Sequence, residues 1–117
     1  LQHPESYVLA KSGEIFFAIY EQQVIGTAAM IPISDKVFEL AKMAVQKNFQ
    51  GRGVGKLLLS QCISFAKEED AKEIFLLTND MLKPALNLYL SCGFILNSHY
   101  DDERYERGNT KMNLMLS

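Results

Sequence analysis

Short apolar runs fill the first part of the chain. Residues 15–20 read Ile-Phe-Phe-Ala-Ile-Tyr, a β-rich segment that Glu21-Gln22-Gln23 turns into a second run at 24–33. Pro32, Ser34 and Asp35 break that run before a third at 37–46. Connections this short predict antiparallel neighbours in a meander. The period then changes. Val54, Leu57, Leu58, Gln61, Cys62, Phe65 and Ala66 recur at three and four and give way to Lys67-Glu68-Glu69-Asp70, the pattern of an amphipathic helix with a polar exit. Ile74-Phe75-Leu76-Leu77-Thr78 is apolar nearly throughout and predicts a strand buried on both faces. Pro84 belongs in the first turn of a second helix, where its missing N–H costs little, and Gly93 ends that helix. Phe94 to Leu96 opens another strand, 101–108 is a charged loop, and 112–116 is a last strand. With no repeat and no internal linker, the pattern predicts one domain over 1–117, α+β in class, with a mixed sheet and at least two helices.

Bulk properties narrow the function. The chain has 117 residues, 48% of them apolar, enough to bury about two-thirds of its unfolded surface. Its net charge of −2 and dispersed basic residues argue against nucleic acid as a partner. No apolar run approaches a membrane span and no leader pattern is visible. Cys62 and Cys92 do not form a disulfide framework, and a reducing cytoplasm is the simplest compartment. His3 and His99 have no metal-type spacing with the cysteines, so no metal is expected.

The chemistry concentrates in Gln50-Gly51-Arg52-Gly53-Val54-Gly55-Lys56, between the third strand and the first helix. Glycines at every second position strip side chains from a turn whose N–H groups then face outward. A helix N-terminus there offers unpaired donors and a favourable dipole to an anion. The plainer alternative is a tight turn and nothing more. A P-loop is excluded, because Gln50 stands where its first glycine belongs and Leu57 follows the lysine. The dinucleotide fingerprint is excluded too, since its third glycine would come one residue later.

Gln50, Gly53 and Gly55 fit Gln/Arg-x-x-Gly-x-Gly, which resembles the pyrophosphate loop of the Gcn5-related N-acetyltransferase (GNAT) superfamily. Two further segments agree in order and distance. Phe38-Glu39-Leu40-Ala41-Lys42-Met43-Ala44-Val45 resembles the family's fourth strand, leading into the loop. Asn79, then Leu82 to Tyr89 and Cys92-Gly93-Phe94, resemble its next strand end, helix and Gly-Phe turn. The resemblance runs from about Glu14 to the C-terminus, roughly nine-tenths of the chain. It implies a GNAT-like, mostly antiparallel twisted sheet flanked by helices, with the helical part that relatives carry before Tyr7 missing here. It also implies acetyl-coenzyme A as co-substrate, a small-molecule or peptide amine as acceptor, and admits a homodimer.

Site residues follow from the resemblance. The backbone of Gln50, Gly51, Arg52, Gly53, Val54, Gly55 and Lys56 would bind the pyrophosphate, with Arg52 and Lys56 adding charge-assisted contacts or serving only as solvated charges. Met43 and Val45 would present main-chain groups to the pantetheine arm, and the Met43 N–H would hold the oxyanion. An alkyl ammonium near pKa 10.4 costs about 4.6 kcal/mol of reactive population at pH 7, so a proton acceptor is needed. Glu39 is the candidate base, through water; the alternatives are an electrostatic anchor for the amine or a plain polar strand residue. Tyr89 is the candidate acid at the departing sulfur, or a ring packed on the sheet. Asn79 would bond the cofactor arm or cap the next turn, and Asn87 is a further cofactor-contact candidate.

The function these residues imply is an N-acetyltransferase working by direct attack in a ternary complex. The alternative is a non-catalytic acyl-coenzyme A-binding sensor or regulatory module. A weaker third reading is a fragment that needs a second chain to complete its fold.

Overall fold

The computed structural model describes residues 7–99 and 108–116. His3 and the expected charged loop, Gly108 apart, lie outside these residues. The meander is present and gains a strand. β1 (Val8–Ser12) pairs antiparallel with β2 (Ile15–Tyr20), β2 with β3 (Gln23–Pro32), and β3 with β4 (Val37–Val45). The sequence pattern missed β1 because most of its side chains are exposed, so it lacks the apolar alternation that marks a half-buried strand.

A short 3-10 turn, Lys47–Phe49, leads into α1 (Val54–Glu68), which crosses the sheet to β5 (Glu73–Thr78). β4 and β5 are the parallel pair. α2 (Lys83–Ser91) follows, then β6 (Ile95–His99) and β7 (Thr110–Met115). β7 inserts between β5 and β6, giving one seven-stranded sheet in the order β1-β2-β3-β4-β5-β7-β6. The class is α+β with a mixed, mostly antiparallel sheet, as expected, and among the described residues no helix precedes β1.

Both helices lie on one face. Phe65 of α1 packs edge-on against Phe16 of β2 and Phe38 of β4, at ring separations of 5.5 and 5.4 Å. Of the three-and-four pattern, Val54, Leu58, Cys62 and Ala66 are buried, Leu57 and Phe65 half-buried and Gln61 exposed, while Leu59, which the pattern left out, joins the buried stripe. Gly26 of β3 lets α1 come this close: a Cβ there would lie 2.9 Å from Leu58 Cδ1 and 3.2 Å from Val54 Cγ1. α2 joins the same side, with Leu88 against Gly55 and with Tyr89 and Phe94 in the shared core.

The opposite face carries no helix among the described residues. This corrects the reading of β5 as doubly buried. Ile74, Leu76 and Thr78 are buried under the helices, whereas Glu73, Phe75 and Leu77 on the other face are only half-buried. An unbroken apolar run does not report which face has a neighbour.

Candidate functional site

The site is built where β4 leaves β5. Their pairing ends at Leu40 with Leu76. Past that point the edge of β4 that faces β5 has no strand partner among the described residues, and a cleft of about 370 Å³ opens. Ala41, Lys42 and Met43 line one wall, Leu77, Thr78 and Asn79 the other, and Ala85 and Tyr89 of α2 close the helix side. Gly108 lies against the Thr78 backbone so tightly that no Cβ would fit.

A bulge shapes the β4 wall. Between the pairs Thr27–Ala44 and Ala29–Ala41, β4 takes three steps where β3 takes two. The extra residue is accommodated at Lys42, held at φ +53°, and Thr27 Oγ1 donates to its carbonyl at 3.2 Å. Strict alternation from Phe38 and Leu40 would turn Lys42 and Ala44 toward the helices. The bulge turns Met43 and Val45 there instead, close beside Gly55 of α1. The Met43 side chain packs against the core in this way.

The glycine loop is fastened to the same strand. Gln50 Nε2 donates to Val45 O at 3.0 Å, and Gln46 Nε2 donates to Val24 O at 2.8 Å. The Gln50 side chain is thus occupied in anchoring the loop. Gly51 and Gly53 adopt φ of +78° and +86°, the left-handed region that L side chains avoid. Gly55 is different: it is helical, and its lack of a Cβ makes room for Leu88 Cδ2, which would be 3.1 Å away.

α1 starts without a side-chain cap and without an acidic residue in its first turn. Its first intrahelical bond runs from Leu57 N to Gly53 O, so the amides of Val54, Gly55 and Lys56 precede the hydrogen-bond ladder. These amides and the dipole end make an electropositive terminus. Arg52 adds a guanidinium held over the Phe49 ring at 5.6 Å, and Phe49 in turn packs on Tyr20. Phe49 escaped the sequence reading, although an aromatic one residue before Gln50 was a visible signal.

Glu39 and Tyr89 flank the cleft from opposite faces. Glu39 is 5% exposed on the helix-free face, in register with Ile31 and Phe75. Tyr89 is 6% exposed on the helix face, its ring 6.0 Å from Phe94, and burial raises its hydroxyl pKa above the ordinary phenol value. Asn79 lines the cleft and also accepts from Met81 N at 2.9 Å, the turn-capping alternative foreseen for it. Asn87 does not line the cleft. It is exposed on α2, two residues and so about 200° round the helix from Tyr89. Among the described residues no cluster of three His, Cys, Asp or Glu side chains could hold a metal ion.

The fold is thus α+β, with a parallel strand pair that parts at a glycine-lined helix start. The model of the Acetyltransferase (GNAT) family matches residues 2–94, and the chain belongs to that family. It is 29% identical over 101 residues to rat N-acetyltransferase family 8 member 2, covering 82% of this chain and 44% of that protein. The chain therefore spans under half the length of this curated relative. A GNAT acetyltransferase from Staphylococcus aureus superposes with a TM-score of 0.77 at 27% identity, over 88% of this chain and 67% of that one. The fold also matches a GNAT acetyltransferase from Elizabethkingia anophelis, crystallised with acetyl-CoA bound, at TM-score 0.75 and 23% identity over 87% and 75% of the two chains.

Proposed function

We propose that this chain moves the acetyl group of acetyl-coenzyme A to a primary amine by direct attack in a ternary complex. The observation that carries this reading is the cleft itself. It opens one residue past Glu39, with a capless helix terminus on one side of the sheet and a buried carboxylate on the other.

The donor's diphosphate suits the amides of residues 51–56, with Arg52 and Lys56 adding charge and Gln50 contributing main chain only. Its arm would pair with the open edge of β4 at Met43 and Val45, much as an added strand does, with Asn79 at the opposite wall.

Donor entry from the helix face leaves the helix-free face for the amine. The nitrogen lone pair forms the new C–N bond and the thioester oxygen becomes an oxyanion, which the Met43 N–H would hold. The amine's proton passes to Glu39, directly or through water. Collapse reforms C=O and breaks C–S. The Tyr89 hydroxyl, above its ordinary value of about 10, is a weaker acid than a thiol near 8.5, so full proton transfer is uphill by at least about 2 kcal/mol. Its role in this reading is to donate a hydrogen bond to the leaving sulfur, with solvent completing protonation.

The test is release of free thiol from acetyl-coenzyme A against a panel of amines. The expected outcome is turnover that requires both substrates, with sequential kinetics and no acyl-enzyme burst. Binding of acetyl-coenzyme A without thiol release for any amine would instead identify a sensor module.

A further inference from the structure

The β5 wall of the cleft is held from behind by two side chains that the chemistry above does not use. β5 parts from β4 after Leu76, so among the described strands its end is located by β7 alone. That pairing runs from Glu73 with Met115 to Thr78 with Thr110, and there the ladder stops. Thr78, Asn79 and Gly108 line the cleft, whereas Asp80 and Asn109 stand behind them and do not. Chain beyond the last pair of a ladder opens at little cost. Here it is tied across by side chains instead.

Asp80 N donates to Asn109 Oδ1 at 3.1 Å, and Asn109 Nδ2 donates back to Asp80 Oδ1 at 3.1 Å. The Thr110 hydroxyl, of a residue 1% exposed, donates to the same Asn109 oxygen at 2.9 Å. Turning the amide over would set its NH2 against the Asp80 N–H and its oxygen against the carboxylate, so all three bonds agree on one orientation. Asn79 closes the adjoining turn along the chain, accepting from Met81 N at its side chain and from Leu82 N at its carbonyl, both at 2.9 Å. The exit from β5 is thus fixed locally by Asn79 and across to β7 by Asp80 with Asn109. Gly108, one residue before this clasp, is pressed on the Thr78 backbone.

Resting on the acetyltransferase reading, we propose that Asp80 and Asn109 are positioning residues. Their reciprocal bonds hold Thr78, Asn79 and Gly108 at the distance from β4 at which the donor's thioester meets the amine. Neither touches a reacting atom. A shift of about 1 Å in a wall of this kind is enough to slow a reaction a hundredfold.

The experiment is a double-mutant cycle on the full chain, reading kcat and KM for acetyl-coenzyme A in thiol release beside thermal unfolding of each variant. Asn109→Asp sets two carboxylates face to face and should lower kcat on the order of tenfold or more, with KM changed by about threefold at most. In an Asp80→Asn background the amide comes from the β5 side and the carboxylate from the β7 side, which rebuilds the pair. Adding Asn109→Asp there should cost under about threefold. Where Asn109→Asp fails to fold, Asn109→Ala removes the bonds without the repulsion and should show the same fall in kcat. An equal loss of kcat from Asn109→Asp in both backgrounds overturns this inference and leaves the transferase reading standing. So does a lowered unfolding temperature in either Asn109 variant with kcat and KM of the folded enzyme unchanged. Absence of thiol release from wild type with every amine, while calorimetry still shows acetyl-coenzyme A bound, overturns both.

Discussion

Thr27 Oγ1 donates to the carbonyl of Lys42 across the β3–β4 pair, at the one point where β4 carries an extra residue. That hydrogen bond holds a non-glycine residue at positive φ and so fixes how the main chain of Met43 meets the cleft. Thr27→Val keeps the β-branched shape and removes the hydroxyl. The expected loss of stability is about 0.5–1 kcal/mol, while kcat falls on the order of tenfold with acetyl-coenzyme A affinity nearly kept. Steady-state kinetics beside isothermal calorimetry separate the two. A drop in affinity with unchanged kcat would mean that the bulge serves only to bind the donor.

Glu39→Gln tests the proton acceptor. The substitution preserves shape at a buried position, so the fold should persist. kcat/KM at neutral pH should fall on the order of a hundredfold, and the gap to wild type should narrow as pH rises and the amine loses its proton unaided. A gap that stays constant across the pH–rate profile would assign Glu39 to binding the amine.

In Tyr89→Phe the ring remains to pack on Phe94. Turnover should slow up to about tenfold, the worth of one hydrogen bond to sulfur, with acetyl-coenzyme A still bound. The defect should be greatest with thioesters of poor leaving groups. Unchanged kcat with every donor would remove the hydroxyl from the reaction.

The glycines of the loop should respond differently. Gly53→Ala forces an L side chain to φ +86° and should cost about 1–2 kcal/mol in urea unfolding, together with weaker binding of the anion. Gly55 is helical, and its new methyl would meet the flexible end of Leu88, so Gly55→Ala should be close to neutral in stability. Equal losses at the two positions would contradict this division.

The two thiols predict a pH response. Cys62 is fully buried, and burial pushes its pKa up to about 12 from an ordinary 9.0; Cys92 is half-exposed. The protonated thiol is the form the fold favours. Its contribution is intact below pH 9, where the unfolded thiol is still protonated, and is lost as pH rises from 9 toward 12. Burial of Tyr89, whose raised hydroxyl is also neutral when protonated, acts in the same direction above about pH 10. Stability measured by urea titration should therefore decline through this window, less steeply in Cys62→Ala. In the native protein a thiol reagent should label Cys92 and reach Cys62 only on unfolding. Rapid labelling of both at neutral pH would refute the burial argument.

Local rules carried much of this molecule. Glycines at 51 and 53 and an apolar stripe from Val54 to Ala66 mark a helix with an open start, because backbone sterics and the 3.6 period act within a few residues. Apolar, β-rich runs joined by short turns likewise specify β2, β3 and β4 as a meander. Tertiary contact decided the rest. Lys42 and Thr27 are 15 residues apart, and nothing local to either marks a bulge. β7 enters between β5 and β6 only when the sheet assembles, and this places Asn109 beside Asp80. β1 is a strand because β2 offers it an edge, since its own side chains bury little. Side-chain periodicity states which positions share a face, but which faces find a neighbour depends on hydrogen bonds and packing between segments far apart in the chain.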